Sequence, residues 1–555
     1  MRDPAKRITG LLLPLAVAVT CYAPTLASGQ EIRPTRTVMI PMRDGVRLAT
    51  DIYLPTPDAK RLPLILIQTP YGRGNYNREW GARAAEWGYA IAIQDMRGRG
   101  ASEGEQKPFM DSGWGEKQDG YDTVEWLARQ DFCDGKIGTV GSSAMGIAQT
   151  MMAPSAPEHL VCQYILVGAA SLYHHGAYHG GVLRKALVEG WLRDNRFPEK
   201  NLAEIRQHPT YDDFWQKADS VREAGRIRVP AIHYGGWFDI FSQGTIDAFV
   251  SRQSGGGKGA RGTQKLVIGP WLHGGPGAVK IGDFSLPKTA RSIPVDVSAK
   301  RWFDCYLKGV PNGANKIPAV LYYVMGPFDA AGPGNEWRTA DNWPPPCTLT
   351  SFYLYDDGRL SLKRPPRGLA SAGYVFDPAN PVPTLGGSNM NIPGGPKDQR
   401  PLETRSDVLA FTSDALDRPL EVTGRVEAEL WVASDRRDTD FAVRLCDVYP
   451  DGRSILITDG MQRCALRESL TRAVALKPGK PTRIRVDLWS TSIVFAPGHR
   501  IRILVSSSND PRFDVNPNSA FSDEPAGTSL KATNTLFFDK RHPSRLILPV
   551  AKASQ

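Results

Sequence analysis

Between Thr37 and about Ala153 the chain alternates short apolar runs with helical stretches, and this alternation narrows the possible folds more than any other feature. Val46–Leu54, Leu62–Gln68, Ala90–Gln94 and Ile137–Val140 have the length and composition of strands. Glu116–Gln130 reads as a helix, with Tyr121, Val124, Trp126 and Leu127 at i, i+3, i+5 and i+6. Strands separated by helices point to a parallel sheet with covered faces. Val161–Val167 extends the series. From about Ser171 to Arg226 the strands disappear, and helix formers and aromatics such as Tyr173, Trp191, Phe197, Tyr211 and Trp215 take over. The alternation resumes with strand Val229–Tyr234, a helix near Gln243–Arg252, strand Lys265–Ile268 and helix Val295–Leu307. An insertion between strands of an open sheet projects over their carboxyl ends, where ligands bind, so it reads as a cap.

After Val310 proline and glycine punctuate short β runs: Ala319–Met325, Leu349–Tyr355, Glu421–Val432, Phe441–Tyr449, Pro481–Leu488 and His499–Ser506. Turn signals such as Asp356-Asp357-Gly358 and Pro450-Asp451-Gly452 argue for a β-sandwich or jelly roll. A chain of 555 residues suits two or three cores. The expected division is an α/β unit over 30–153 and 227–335, a helical cap over 154–226 and a C-terminal jelly-roll β-domain over 336–555.

Residues 1–29 read as a cleaved signal peptide. Arg2, Lys6 and Arg7 precede the short apolar run Gly10–Thr20, and small residues follow at Ala27-Ser28-Gly29. That run is about half of the roughly 20 residues a spanning helix needs. A periplasmic or secreted location follows, with no membrane span. Removing the signal leaves six cysteines without a C-x-x-C, so disulfides are permitted rather than implied. The net charge of +10 is dispersed, with no Lys/Arg block that tracks phosphates, and excludes an evident nucleic-acid partner.

Val140-Gly141-Ser142-Ser143-Ala144-Met145-Gly146 sits at a strand-to-helix junction. A nucleophilic serine in such a strained turn needs small neighbours, usually as G-x-S-x-G. Here Gly141 is two before Ser143, but the following glycine is delayed to Gly146. Ser142 is the alternative register, and a glycine-rich turn without chemistry is the bland one. A serine needs a base, and the base an orienting acid, each on a loop after a strand. Strand Val229–Tyr234 runs into Gly235-Gly236-Trp237-Phe238-Asp239, and strand Lys265–Ile268 into Gly269-Pro270-Trp271-Leu272-His273. Serine, acid and histidine thus follow in the chain order of an α/β-hydrolase. His233 lies within its strand, and His499 and His542 belong to the β-domain. His174, His175 and His179 read as cap or packing residues, because nearby glycines break the helix a metal site would need. No metal and no cofactor are expected. The backbone N–H of Ala144 is one expected oxyanion donor. The second usually comes from the loop after an early strand, here Gln68–Gly74, where Tyr71 by pattern alone would more often be a packed tyrosine.

Taken together, several motifs resemble those of the bacterial cocaine esterase and X-Pro dipeptidyl-peptidase family of α/β-hydrolases. They are Pro70-Tyr71, Gln94-Asp95-Met96-Arg97-Gly98-Arg99-Gly100, Ser102-Glu103-Gly104, Asp119-Gly120-Tyr121-Asp122-Thr123, Gly236-Trp237-Phe238-Asp239 and Gly269–His273. α-Amino acid ester hydrolases and glutaryl acylases are relatives within this group. The resemblance spans the mature chain, including the jelly roll. It implies the register G-x-S-Y-x-G, hence Ser143 as nucleophile, and Tyr71 as side-chain oxyanion donor. The family's tyrosine after the nucleophile is Ala144 here, so the pocket loses an aromatic wall.

The resemblance also bears on substrate. Members acting on α-amino acid esters carry acidic residues just after the triad aspartate, whereas this chain has Ile240, Phe241 and Ser242. A neutral small-molecule ester or amide is therefore the expected substrate, with Phe241, Trp237 and Trp191 as pocket residues. Carboxylates of the cap, such as Glu189 or Asp194, are the ones placed to alter this. An X-Pro dipeptidyl-peptidase or other aminopeptidase is the alternative. A non-catalytic binding protein with a lectin-like jelly roll is a third reading.

Overall fold

Ten strands form one sheet at the heart of the computed structural model, which describes residues 32–329, 332–366, 368, 370–525 and 527–552. The expected signal peptide lies outside these residues. The strands are β1 (Arg36–Pro41), β2 (Arg47–Tyr53), β3 (Leu62–Thr69), β4 (Ala90–Asp95), β5 (Cys133–Ser142), β6 (Leu160–Leu166), β7 (Ala231–Gly236), β8 (Lys265–Gly269), β9 (Val320–Val324) and β10 (Glu336–Ala340). Their spatial order is β1-β2-β4-β3-β5-β6-β7-β8-β9-β10. From β4 to β9 every pairing is parallel. Strands β4, β7 and β8 are buried along their whole length, as expected of strands covered on both faces.

Three strands depart from expectation. Strand β6 falls in 154–226, the stretch assigned to the cap, but pairs parallel between β5 and β7, so the insertion begins only after it. The run at Val46–Leu54 is antiparallel to both neighbours. A tight turn at Met42–Val46, closed by Met42 N–H to Val46 O at 2.8 Å, allows only an antiparallel return. Strand β10 falls in the stretch assigned to the jelly roll but pairs antiparallel with β9 and ends the first sheet. The proline- and glycine-rich texture begins before the sheet is finished.

Helices α1 (Asp119–Ala128), α2 (Ala144–Met152), α5 (Ser242–Gly255) and α6 (Ala299–Leu307) pack on the sheet, and α3 (Lys185–Asp194) and α4 (Glu199–Gln207) belong to the cap. Gly138 of β5 faces Phe303 of α6 so closely that a Cβ would stand 2.7 Å from its ring. Beyond Cys347 a seven-stranded and a four-stranded antiparallel sheet form the β-domain, with Val422, Leu430, Phe441 and Leu445 fully buried. The six described cysteines are unpaired. No described helix is long and apolar enough to cross a membrane.

Candidate active site

Ser143 caps α2 directly after β5 with φ 60° and ψ −121°, a backbone conformation that costs a non-glycine residue about 1–3 kcal/mol. Its N–H donates to Leu166 O at 3.0 Å, which fixes the turn against β6. Both nearby glycines have steric reasons. A Cβ on Gly141 would lie 2.4 Å from Met145 Cβ, and one on Gly146 would lie 2.7 Å from Leu166 O. The delayed glycine therefore sits where the first turn of α2 crosses β6, and Met145 occupies a position that tolerates a side chain.

Asp239 and His273 come from adjacent loops that are zipped together. Trp237 N–H donates to Gly269 O at 2.8 Å, and Phe238 N–H to Trp271 O at 3.0 Å. A Cβ on Gly236 would collide with Trp271 O at 2.2 Å. Trp271 itself is fully buried, stacked on Tyr234 and donating to Ala290 O at 2.9 Å. The result is one continuous relay. Ser143 Oγ lies 2.7 Å from His273 Nε2, and His273 Nδ1 lies 2.5 Å from Asp239 Oδ2. The other oxygen of this fully buried carboxylate accepts from Phe241 N–H at 2.6 Å. A carboxylate so held fixes the imidazole with Nδ1 protonated and Nε2 free to take the serine proton.

Tyr71 stands on the other side of Ser143. Its hydroxyl accepts from the indole N–H of Trp191 at 3.0 Å. Burial pushes its phenol above the ordinary tyrosine range, against the opposing influence of Trp191 and Ser143, so it stays a proton donor. The loop carrying it is braced from below. Arg73 bonds Asp95 through its N–H and its guanidinium, both at 2.6 Å, and pairs with Asp51 at 2.9 Å. Arg99 donates to Pro70 O at 2.7 Å. A Cβ on Gly100 would overlap the Asp95 carboxylate, and one on Gly98 would stand 2.7 Å from Gln106 N, which explains the glycines of the Asp95–Gly100 motif. The N–H of Ala144, first residue of α2, has no acceptor within the helix and points where an anion is favoured.

Ser143 and Ala144 open onto a cavity of about 840 Å³, mouth included, whose wall is apolar. Phe109, Trp191, Phe214, Trp215, Ile240 and Phe241 line it, and Met390 reaches it from the β-domain. Trp191 stacks between Phe109 and Phe197, and Phe241 meets the His273 ring edge-on. Trp237 is a correction: it does not line the cavity. It lies buried against Trp343 and donates to Tyr323 O at 2.7 Å, because the zipped loop turns it toward the sheet core. Glu189 pairs with Arg206 and Asp194 with Arg193, and neither lines the cavity. The cavity does hold charges that sequence reasoning missed, Lys107 and Glu204, paired at 3.3 Å. They lie 97 positions apart, and no local pattern links them.

The cap histidines are packing residues. His175 Nδ1 accepts from Ser171 N–H at 3.1 Å and its Nε2 lies 3.0 Å from Asp247. His179 donates to Asp487 O at 2.8 Å and stacks on Trp489. Among the described residues no group of three or more His, Cys, Asp or Glu is arranged to hold a metal ion.

Residues 44–197 and 193–275 match the X-Pro dipeptidyl-peptidase (S15 family) profile, and residues 312–547 match the X-Pro dipeptidyl-peptidase C-terminal non-catalytic domain. The chain is 34% identical to the cocaine esterase of Rhodococcus sp. strain MB1 Bresler, over 93% of this chain and 98% of that one. It is 27% identical to a putative serine esterase of Mycobacterium tuberculosis, over 92% and 94%. An aminopeptidase from a marine sediment Thaumarchaeota archaeon superposes with TM-score 0.78 at 25% identity, covering 96% of this chain and 99% of that one. An α-amino acid ester hydrolase shares the fold, with TM-score 0.77 at 24% identity and coverage of 96% and 100%. With this sheet, this β-domain and these matches, the chain belongs to the X-Pro dipeptidyl-peptidase (S15) family of α/β-hydrolases, which includes the cocaine esterase, and is a serine hydrolase.

Proposed function

We propose that this enzyme hydrolyses neutral esters carrying an apolar acyl group, through an acyl-enzyme on Ser143. The observation that carries the reading is the 2.7 Å contact between Ser143 Oγ and His273 Nε2 on the floor of an apolar, aromatic-walled cavity. His273 takes the hydroxyl proton as Ser143 Oγ adds to the ester carbonyl. Asp239, bonded to Nδ1–H, stabilises the imidazolium without accepting its proton. Negative charge gathers on the former carbonyl oxygen, which the Tyr71 hydroxyl and the Ala144 N–H receive as donors. Collapse of the tetrahedral intermediate expels the alcohol, protonated by His273. Water then repeats the sequence in reverse, with His273 as base, and frees the acid.

The loss of an aromatic at Ala144 enlarges the wall on the side of Ile147 and Phe241. Aryl, branched or short alkyl acyl groups suit that space. The observation favouring the aminopeptidase reading is Glu204, a carboxylate on the cavity wall. Its pairing with Lys107 neutralises it, so it offers no free anion to a substrate ammonium. Export is part of the same proposal and rests on the basic, apolar and small-residue succession at the N-terminus. The test is steady-state hydrolysis of p-nitrophenyl esters against Xaa-Pro anilides by the wild type and Ser143→Ala. Preferential ester turnover that vanishes with Ser143 is expected; faster turnover of the anilides would replace the esterase reading with the peptidase one.

A further inference from the structure

Arg184 immediately precedes α3 and is fully buried, yet among the described residues no carboxylate pairs with it. Its two terminal nitrogens are spent on backbone carbonyls, and its Nε is buried without a hydrogen-bond partner among the described residues. One terminal nitrogen donates to His175 O and, at 3.4 Å, to Gly176 O; the other donates to Ile240 O at 2.8 Å. Its own N–H reaches Ala177 O at 2.8 Å. The guanidinium lies 5.1 Å over the ring of Trp489, a residue of β-domain strand Thr482–Phe495 held at φ 65°. That indole also stacks on the His179 ring, 4.7 Å away. Arg184 therefore joins four parts of the molecule: the start of α3, the Leu172–Ala177 turn at the cavity wall, the loop just past Asp239, and the β-domain.

Removing a cation from water without a paired anion costs several kcal/mol, so a site serving packing alone would be better filled by an apolar side chain. We propose that Arg184 is a positioning residue of the hydrolytic site, fixing the Asp239 loop against cap and β-domain and presenting a buried cation to the Asp239–His273 pair. The inference rests on the serine-hydrolase mechanism above. Burial pushes the guanidinium down to about 9, aided by Arg512 and opposed by Asp239 and Asp459, so it remains charged at neutral pH. Arg512 and Asp459 pair with each other on the β-domain side. On the turn, the His175 ring pairs with Asp247. Asp239 is bonded to the His273 ring and to Phe241 N–H, and Arg184 reaches its loop at the adjacent Ile240 carbonyl. A second arginine acts at the far end of α3: Arg99 donates to Pro70 O beside Tyr71 and to Asn195 O, and lies over Phe197. The cap helix is riveted at both ends to the two loops flanking Ser143.

The experiment uses the full chain with Arg184→Met and Arg184→Lys. Active sites are titrated with a fluorophosphonate, and kcat, KM and the pH profile of kcat/KM are measured on a neutral p-nitrophenyl ester. Arg184→Met is expected to lose ~10- to 100-fold in kcat per titrated site, with KM within ~3-fold. Its acid limb is expected to move to higher pH, because protonating the Asp239–His273 pair no longer meets a nearby cation. Arg184→Lys keeps the charge but cannot span three carbonyls, so kcat falls while the acid limb stays at its wild-type pH. Lowered melting temperature with unchanged kcat and pH profile in Arg184→Met would reduce Arg184 to packing and overturn the proposal. If Arg184→Met does not fold, Arg184→Lys decides alone: wild-type kcat overturns the proposal, and lowered kcat with an unmoved acid limb supports it. A wild-type enzyme that neither reacts with the probe nor turns over the ester would sink the hydrolase mechanism itself, and this inference with it.

Discussion

The indole N–H of Trp191 donates to the hydroxyl oxygen of Tyr71 at 3.0 Å. An indole only donates, so this bond occupies a Tyr71 lone pair and leaves the phenolic proton free to face Ser143. A residue of the cavity wall thereby orients a group on the loop after β3.

Tyr71→Phe is expected to lower kcat by ~10²–10³-fold with little change in KM, since the bond to the oxyanion exists only in the transition state. A rise in KM at constant kcat would make Tyr71 a pocket residue instead. Trp191→Phe keeps the stack but loses the donor and should produce a smaller fall in kcat. Because burial raises the Tyr71 phenol above its ordinary value, its protonated working form persists through alkaline pH. The pH profile of kcat should therefore show no loss attributable to Tyr71 below about pH 10.

Charge selectivity follows from Lys107 and Glu204. Paired at 3.3 Å, they leave no net charge on the cavity wall, so a matched α-amino ester should show kcat/KM no higher than its neutral analogue. A ten-fold preference for the amino ester, about 1.4 kcal/mol, would contradict this. Lys107→Met frees the carboxylate and should raise the relative kcat/KM of the amino ester, measured below the amine's pKa.

The sheet alternation was legible because parallel strands buried on both faces read as short continuous apolar runs, as in Ala90–Asp95 and Lys265–Gly269. Strand direction was not, since β2 carries the same apolar signature whichever way it runs. Ser143, Asp239 and His273 were legible because each stands just past a strand end, in an order the fold requires. The choice between Ser142 and Ser143 needed the family resemblance; in the structure it is Ser143 Oγ that meets His273 Nε2, and the delayed glycine has a steric reason in Gly146 against Leu166 O. Trp237 misled because residues adjacent on a tight loop point to opposite sides. Lys107, Glu204, Met390 and Arg184 carried no local signal, because tertiary packing alone brings them to the site.

Gly146→Ala tests that steric reason. The added Cβ would meet Leu166 O at 2.7 Å and Gly168 Cα at 3.3 Å, both backbone, so no side chain can yield. A loss of about 1–3 kcal/mol in unfolding free energy is expected from urea titration. Gly115→Ala, with nothing within 4 Å of the new Cβ, is the control and should be near neutral.

Met390 gives the β-domain a part in selectivity. It sits on a loop closed by reciprocal backbone bonds between Gly387 and Gly395, at 2.9 and 2.8 Å. Asn391 of the same loop bonds Ala186 O at 3.3 Å, and Gly190 of α3 lacks a side chain where Asn391 packs. Met390→Ala should raise kcat/KM for bulky acyl esters relative to acetate by ~10-fold or more, within the ~10–200-fold that a methylene-scale change in a pocket can give. An unchanged acyl profile would place Met390 outside the acyl site.

The central claim is that Ser143 is the atom donor of the acyl-enzyme, activated by His273. Its most direct measurement is peptide mass spectrometry after labelling with a fluorophosphonate. A single adduct on Ser143 is predicted, absent in Ser143→Ala, retained in Ser142→Ala, and formed at least ~10³-fold more slowly in His273→Ala. An adduct on Ser142, or full ester hydrolysis by Ser143→Ala, would contradict the account.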